Sequence, residues 1–285
     1  MPSQITEVSA VDLTPDKGEG HRIGVFDSGL GGLSVLQALR ARLPQAEMLY
    51  VADSGHAPYG EKDVGHITSR SLYITQFLLS QGADAIVVAC NTATAAAVHA
   101  LRAQWPHVPI IGVEPGVKPA VKHSPGKRIG VLATPRTLAS EKFCQLVERH
   151  ASEAQITLQA CPGLAKEIET GVLDSPRLRE LVNIFAAPLT AAGVDTVVLG
   201  CTHYPFVRPL FSQALGEHVS IIDTAEAVAR QVARQLQLNS ASSNDNSLGP
   251  PREGETRLWS SGDPRHLSET VHRWLGLRAE ARPLP

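Results

Sequence analysis

Two cysteines of this chain stand in matching surroundings that favour reactive thiols. Cys90 lies in the run ACNT (89–92) and Cys201 in the run GCTH (200–203), and a short apolar stretch precedes each. A buried strand followed by cysteine and then polar residues brings backbone N–H groups close to the sulfur, which favours the thiolate over the thiol. A single buried cysteine is more often a small hydrophobic residue, but two in matching positions indicate catalysis.

The other two cysteines lack such a match. Cys144 lies in a helical pattern and Cys161 precedes a proline, so we expect both to be structural. No two cysteines form C-x-x-C and no two histidines have metal-ligand spacing, so we expect no metal site. His203 is the one histidine that adjoins a candidate thiol, where it could tune Cys201 or transfer a proton.

Further polar residues follow other apolar stretches. The turn Asp27-Ser28-Gly29 ends the first strand pattern, and its glycines permit close approach of the backbone to a ligand. A phosphate-binding loop is the weaker interpretation, because G-x-G-x-x-G is absent. Tyr59 in the loop PYG (58–60) and Thr134, the counterpart of Ser28 in the second half, could each be an ordinary structural residue.

Two thiols that face one cleft suit the inversion of a carbon centre. One thiolate removes a proton from one face and the other thiol supplies a proton to the opposite face, and these roles exchange when the reaction reverses. A cysteine hydrolase or transferase would need one nucleophile with a dedicated histidine, and the near-symmetry of the two motifs argues against it. No cofactor motif is visible, so hydrogen-bond donors must stabilise any carbanion.

An internal repeat predicts how these residues are positioned. RIGV at 22–25 recurs at 128–131, G-x-D-x-x-V-x-x-C ends at both Cys90 and Cys201, and V-x-I-I at 108–111 recurs at 219–222. Short apolar runs alternate with helical patterns, which is typical of α/β folds with parallel sheets. Unrelated strands that look alike are the alternative, but three matches in one order favour two α/β domains related by a pseudo-twofold axis. Ligands bind at the carboxyl ends of such strands, so both thiols should reach the cleft between the domains.

The composition excludes several classes of protein. Of 285 residues, 43% are hydrophobic and 19% charged, which excludes a wholly disordered chain. Lys+Arg 26 and Asp+Glu 28 give a net charge of −2, without the basic field of a general nucleic-acid binder. No run approaches the ~18 apolar residues of a membrane span, and the first twenty residues lack the features of a secretory signal. We expect a cytoplasmic protein that requires neither a membrane nor a nucleic acid.

Taken in order, the motifs resemble those of the bacterial glutamate racemases, in the cofactor-independent aspartate/glutamate racemase family. The matching stretches are FDSGLGGLSVL (26–36), ADSGHAPYG (52–60), ACNTATA (89–95), GVEPGVKPA (112–120), GVLATPRT (130–137), LGCTHYP (199–205) and SSGDP (260–264). The resemblance implies interconversion of L- and D-glutamate without pyridoxal phosphate or metal. It also implies that the D-glutamate serves peptidoglycan synthesis.

The resemblance also implies roles for individual residues. Cys90 would remove the α-proton of D-glutamate while Cys201 reprotonates the opposite face, with the roles reversed for L-glutamate. Asp27 and His203 match positions that assist the thiols. The positions expected to hold the carboxylates and ammonium of the substrate are Asp27, Ser28, Tyr59, Gly60, Asn91, Thr92, Thr202 and His203.

The repeat and the resemblance together give domain boundaries. We expect a flexible extension at 1–21, a first α/β domain of residues 22–97 plus 210–276, a second of residues 98–209, and a C-terminal tail at 277–285. A polar insert at 239–255 should be flexible. This insert, the extension and the stretch 161–171 depart from the family pattern, so roles for Glu167 and Glu169 stay open.

Other functions remain open from the sequence alone. A racemase of aspartate or another acidic amino acid would share the family and the motifs. A two-domain amino-acid binding protein would bind its ligand without exchanging the α-proton, and a single-cysteine hydrolase would form a covalent adduct on one thiol only. The sequence leaves open whether the chain forms a homodimer.

Overall fold

Short parallel strands alternate with helices through residues 20–240 and 254–285, which the computed structural model describes. The strands are β1 (Arg22–Asp27), β2 (Glu47–Ala52), β3 (Ala85–Val88), β4 (Ile110–Gly112), β5 (Arg128–Ala133), β6 (Gln155–Ala160), β7 (Thr196–Leu199), β8 (Ser220–Ile222), β9 (Thr256–Ser260) and β10 (Ala281–Pro283). The helices are α1 (Leu33–Arg42), α2 (Val64–Ser80), α3 (Asn91–Gln104), α4 (Val117–His123), α5 (Pro135–Leu138), α6 (Glu141–Glu148), α7 (Leu164–Ile168), α8 (Pro176–Ala191), α9 (Arg208–Leu215), α10 (Ala225–Ser240) and α11 (Pro264–Leu275).

The strands form two sheets whose strand orders repeat. The first sheet has the order β10-β9-β2-β1-β3-β4 and the second the order β6-β5-β7-β8, and the pairs in both are parallel. The order β2-β1-β3-β4 in the first sheet thus corresponds to β6-β5-β7-β8 in the second. The predicted α/β class with two mainly parallel sheets is confirmed.

The pairing registers also repeat. Ile23 of β1 pairs with Ala85 of β3, and their sequence counterparts Ile129 and Thr196 pair in the second sheet. In the same way Ile86 pairs with Ile110, while Val197 pairs with Ile221. The short sequence matches therefore occupy equivalent strands. Cys90 and Cys201 follow the corresponding strands β3 and β7 at their carboxyl ends.

Each sheet is covered by apolar side chains on both faces, as parallel sheets require. Along β2, Met48 and Tyr50 pack on the side of α1, α10 and α11, while Leu49 and Val51 pack on the side of α2 and α3. The second sheet packs against α7, α8 and α9 on one face and α4 and α6 on the other. None of the helices in the described ranges is long and apolar enough to cross a membrane.

Local sequence explains where several helices begin and end. Ser175 and Asp263 cap α8 and α11 through their side chains, and a proline occupies the first helical turn of each. Gly276 ends α11 in the left-handed conformation, with φ of 69°. The side chain of Asp63 accepts a hydrogen bond from the N–H of His66 at the start of α2.

Sheet membership differs from the predicted domain boundaries. The strand β4 belongs to the first sheet although the predicted first domain breaks at 97, and β8 belongs to the second sheet although that domain was expected to end at 209. The expected tail at 277–285 contains β10, which pairs with β9. Most of the predicted extension 1–21 and of the insert 239–255 lies outside the described residues.

Candidate active site

Cys90 caps the amino terminus of α3. Its sulfur accepts a hydrogen bond from the backbone N–H of Ala93 (3.4 Å), and its thiol donates to Oγ of Ser28 (3.7 Å). Burial raises the pKa of Cys90, and the nearby Asp27 carboxylate raises it further. Cys90 is therefore a protonated thiol in the substrate-free site, with a helix amino terminus ready to stabilise the thiolate.

Cys201 begins a chain of three polar side chains. Its sulfur lies 3.6 Å from Nδ1 of His203, and Nε2 of the same ring hydrogen-bonds to Oε1 of Glu169. Burial disfavours the charged imidazolium, but the hydrogen bonds to Cys201 and Glu169 outweigh it and raise the pKa of His203 well above its ordinary value. The imidazole is therefore protonated more readily than that of a free histidine, and it lies directly beside the sulfur of Cys201.

Glu169 follows α7 and joins the two halves of the site. Its Oε1 accepts a hydrogen bond from the backbone N–H of Leu30 at 2.6 Å. A Cβ atom at Gly29 would lie 2.2 Å from the same oxygen, so any larger residue there would force the Glu169 carboxylate to move. The sequence left the role of Glu169 open because no motif contains it. The Glu169 carboxylate does explain one feature of the sequence, the glycine at position 29.

Asp27 and Thr202 link the loops that follow β1 and β7. Oγ1 of Thr202 donates to Oδ1 of Asp27 (3.2 Å), and Oδ2 of Asp27 accepts from the N–H of Gly29 (2.9 Å). Burial raises the pKa of Asp27; His203 opposes this shift and Glu169 adds to it. Asp27 therefore belongs to one coupled set of titratable groups with the imidazole of His203.

Tyr59 and Gly60 hold the loop after β2 in different ways. The Tyr59 hydroxyl donates to Oδ2 of Asp53 (2.5 Å), and Asp53 also binds Nη2 (2.7 Å) and Nε (3.0 Å) of Arg70. The hydroxyl of Tyr59 therefore supports the loop. A Cβ atom at Gly60 would lie 3.2 Å from Cβ of Thr134, so the loop backbone packs against the end of β5.

Asn91 and Thr92 lie in the first turn of α3. Oγ1 of Thr92 is 3.1 Å from Oγ1 of Thr134 and 3.3 Å from Oγ1 of Thr137. Nδ2 of Asn91 is buried and has no hydrogen-bond partner among the described residues. An unpartnered buried amide is costly, so this group is well placed to donate to a ligand oxygen.

The structure brings the predicted residues into one buried region between the two sheets. Direct contacts join residues from both halves of the chain, and the residues of this region are 8% exposed or less, except Gly60 and Glu169, which are partly buried. Tyr59 and Gly60 approach from the loop after β2 and make no hydrogen bond to either thiol. The members are Asp27, Ser28, Tyr59, Gly60, Cys90, Asn91, Thr92, Cys201, Thr202 and His203, to which the structure adds Glu169 and Thr134.

The expectation of no metal site came from sequence spacing alone. Within the described part of the chain, one group of acidic and imidazole side chains lies close together: the oxygen and nitrogen atoms of Asp27, Glu169 and His203 are within 4.8 Å of one another. Glu169 and His203 use these atoms for a hydrogen bond to each other. We therefore assign the group to the proton network around Cys201.

Comparison with known proteins extends over nearly the whole chain. The Asp/Glu/Hydantoin racemase family matches residues 33–232. A glutamate racemase of Ectopseudomonas mendocina (strain ymp) is 49% identical over 258 residues, which cover 90% of this chain and 96% of the relative. The family match therefore includes both cysteine motifs.

Solved structures give the same result. A glutamate racemase isoform from Bacillus anthracis has a TM-score of 0.82 at 32% identity and covers 93% of this chain and 97% of its own. Escherichia coli glutamate racemase, crystallised with L-glutamate and the activator UDP-MurNAc-ala, has a TM-score of 0.80 at 28% identity, with coverages of 93% and 98%. The two-sheet fold is thus common to all three chains.

Proposed function

This chain belongs to the Asp/Glu/Hydantoin racemase family and interconverts L- and D-glutamate, and we propose that Cys90 and Cys201 transfer the α-proton. The observation that carries this proposal is the placement of the two thiols. Each is buried at the carboxyl end of an equivalent strand, and each has its own donors around the sulfur. Such a pair supplies an acid and a base to opposite faces of one carbon.

The protonation states suggest where the cycle starts. Cys90 is a thiol because burial raises its pKa, and His203, whose pKa is raised, lies beside Cys201 where it can accept the thiol proton. L-glutamate would then lose its α-proton to Cys201 and gain one from Cys90. The resulting state, with the thiolate on Cys90 and the thiol on Cys201, is the one that accepts D-glutamate.

The remaining predicted residues suit an amino acid with two carboxylates. The amide of Asn91 and the amino terminus of the 14-residue helix α3 offer hydrogen-bond donors to a carboxylate. Asp27 offers an acceptor to the ammonium, and the hydroxyls of Ser28, Thr92 and Thr202 can donate or accept. We assign these residues, with the backbone of Gly60 and the loop that Tyr59 supports, to substrate binding.

The wider role follows from the reaction. We propose that the product D-glutamate is used for peptidoglycan synthesis in the cytoplasm, and that the protein needs no cofactor. A homodimer is compatible with this role but is not required by it. The chain's own residues supply both proton donors and acceptors, so no step of the mechanism passes through an added group.

The decisive experiment follows the α-proton of the substrate. Purified protein free of pyridoxal phosphate is incubated with L- or D-glutamate in deuterated water, and exchange is read by NMR and chirality by circular dichroism. Deuterium at the α-carbon with inversion is expected. Binding without exchange would instead indicate an amino-acid binding protein, faster exchange of aspartate would indicate another racemase, and a covalent adduct on one cysteine would indicate a hydrolase.

A further inference from the structure

The two thiols differ in the groups that surround their sulfur atoms. The sulfur of Cys90 accepts the backbone N–H of Ala93, three residues further on. Three residues beyond Cys201 stands Tyr204, whose N–H donates to the carbonyl oxygen of Cys201 (3.1 Å). The hydrogen bonds of residues 20–240 and 254–285 include none from a backbone N–H to the sulfur of Cys201. The donor found at Cys90 is therefore missing at Cys201.

The side chain of Tyr204 lies in the same buried core as Cys201 and Cys161. Its ring is fully buried in the core of the second sheet and packs at 6.3 Å from the ring of Phe211. Its hydroxyl makes no regular hydrogen bond to another described group, which is costly for a buried hydroxyl. The sulfur atoms of Cys161 and Cys201 lie in the same core cluster as this side chain and interact with its hydroxyl.

Cys161 is the weaker of these two acceptors. Its thiol donates to the carbonyl oxygen of Gln159 (3.6 Å), and burial raises its pKa. Cys161 therefore stays a neutral thiol, which accepts hydrogen bonds poorly. Cys201 becomes a thiolate in the reaction proposed above, and a charged acceptor forms much stronger hydrogen bonds.

We propose that Tyr204 is a positioning residue whose hydroxyl donates a hydrogen bond to the thiolate of Cys201. This hydroxyl stabilises the sulfur of Cys201 as the N–H of Ala93 stabilises the sulfur of Cys90. The inference rests on the two-thiol mechanism proposed above. The other titratable groups around Cys201 are Cys161, Cys90 and His203, and His203 lies beside Asp27 and Glu169. These groups supply charge or a weak thiol, whereas Tyr204 supplies a neutral donor. Burial raises the pKa of Tyr204, so its hydroxyl keeps its proton.

The test is the variant Tyr204→Phe, which keeps the ring and removes the hydroxyl. Alkylation of each cysteine by iodoacetamide is measured across pH 6–10 by peptide-resolved mass spectrometry. Loss of one hydrogen bond to a charged group should move the Cys201 profile to higher pH and slow its alkylation about tenfold near neutral pH. The Cys90 profile should not move. An unmoved Cys201 profile, or an equal shift at both cysteines, would overturn the proposal.

Two further variants keep the test decisive. Cys161→Ala should leave the Cys201 profile in place, and a shift of that profile to lower pH would overturn the proposal by showing that the hydroxyl had been donating to Cys161. If Tyr204→Phe does not fold, 3-fluorotyrosine at position 204 replaces it. Its more acidic hydroxyl should move the Cys201 profile to lower pH, and no movement would reject the proposal. Alkylation does not depend on racemisation, so failure of the two-thiol mechanism would be seen separately in the exchange assay.

Discussion

Oε1 of Glu169 accepts a hydrogen bond from the backbone N–H of Leu30 at 2.6 Å, although 139 positions separate the two residues. The same oxygen binds the ring of His203. One carboxylate therefore fixes both the turn after β1 and the imidazole beside Cys201. Any change that moves this carboxylate should disturb both halves of the active site together.

Gly29→Ala should reduce activity without unfolding the protein. The new Cβ atom would lie 2.2 Å from Oε1 of Glu169 and displace that carboxylate. A displacement of about 1 Å near the reacting groups can cost roughly 100-fold in rate, so we expect a loss of that order in kcat. Circular dichroism measures racemisation, and thermal unfolding checks the fold. Gly65→Ala, at a helical position next to the exposed Asp63, is the control and should keep normal kcat.

Glu169→Gln should shift the pH profile of racemisation. Burial lowers the pKa of His203, but Cys201 and Glu169 raise it further than burial lowers it. Without the carboxylate, His203 should lose its proton at lower pH, so the alkaline fall of kcat/KM should begin at lower pH than in the unmodified protein. Glu167→Gln is the matched control, because Glu167 binds Ser175 instead. Identical alkaline limbs for both variants would refute this assignment.

Cys90→Ser and Cys201→Ser should each lose nearly all racemisation activity. A serine hydroxyl is far too weak an acid to ionise near neutral pH, so each variant lacks one of its two proton-transfer groups. A loss of roughly 10²–10⁴-fold in kcat is typical of removing such a group. The exposed thiol Cys144 offers the control, since Cys144→Ser should retain full activity. Full activity in either of the first two variants would exclude the two-thiol mechanism.

Arg70→Met should destabilise the fold through Asp53. Burial opposes ionisation of Asp53, but hydrogen bonds from Arg70 and Tyr59 outweigh it and hold the pKa of Asp53 below its ordinary value. Asp53 is fully buried, and removing the partner of a buried charge costs roughly 3 kcal/mol in the free energy of unfolding. Urea denaturation at pH 7 measures this loss.

The pH dependence of that loss gives a second check. Because the folded pKa of Asp53 is lowered, the stabilisation is present above its unfolded pKa and disappears as the pH falls through the folded pKa. The difference between the parent and Arg70→Met should therefore narrow in acid. Arg177→Met removes an exposed ion pair with Glu180 and should change the unfolding free energy by less than about 1 kcal/mol. A similar effect of both substitutions at pH 7 would contradict the argument.

The sequence predicted the parts of this site that local patterns encode. Cys90 and Cys201 were found because strand, glycine and cysteine recur in one order, and the strand pairing follows the same repeat. The role of Glu169 could not be predicted, since its contacts with Leu30 and His203 depend on how the two halves pack. The motif PYG (58–60) identified Tyr59 as a candidate, but it did not show that the hydroxyl of Tyr59 is hydrogen-bonded to Asp53.

Boundaries were harder to predict than motifs. The strand β10 is three residues long and includes Pro283, so it has little strand character of its own. It forms because β9 offers a free edge, which only the assembled sheet provides. The strands β4 and β8 are equally short, and their sheet membership likewise depends on tertiary pairing.

The strand order repeats between the two sheets, but the surroundings of the two sulfur atoms do not. Mirror-image amino acids have equal free energies in water, so at equilibrium neither enantiomer is in excess. Thermodynamics then requires equal kcat/KM in both directions, whatever surrounds each thiol. The two halves of a duplicated fold can therefore diverge freely around their thiols. Such divergence changes which of the two proton transfers limits the rate. The net direction of the reaction is set by the concentrations of L- and D-glutamate in the cell.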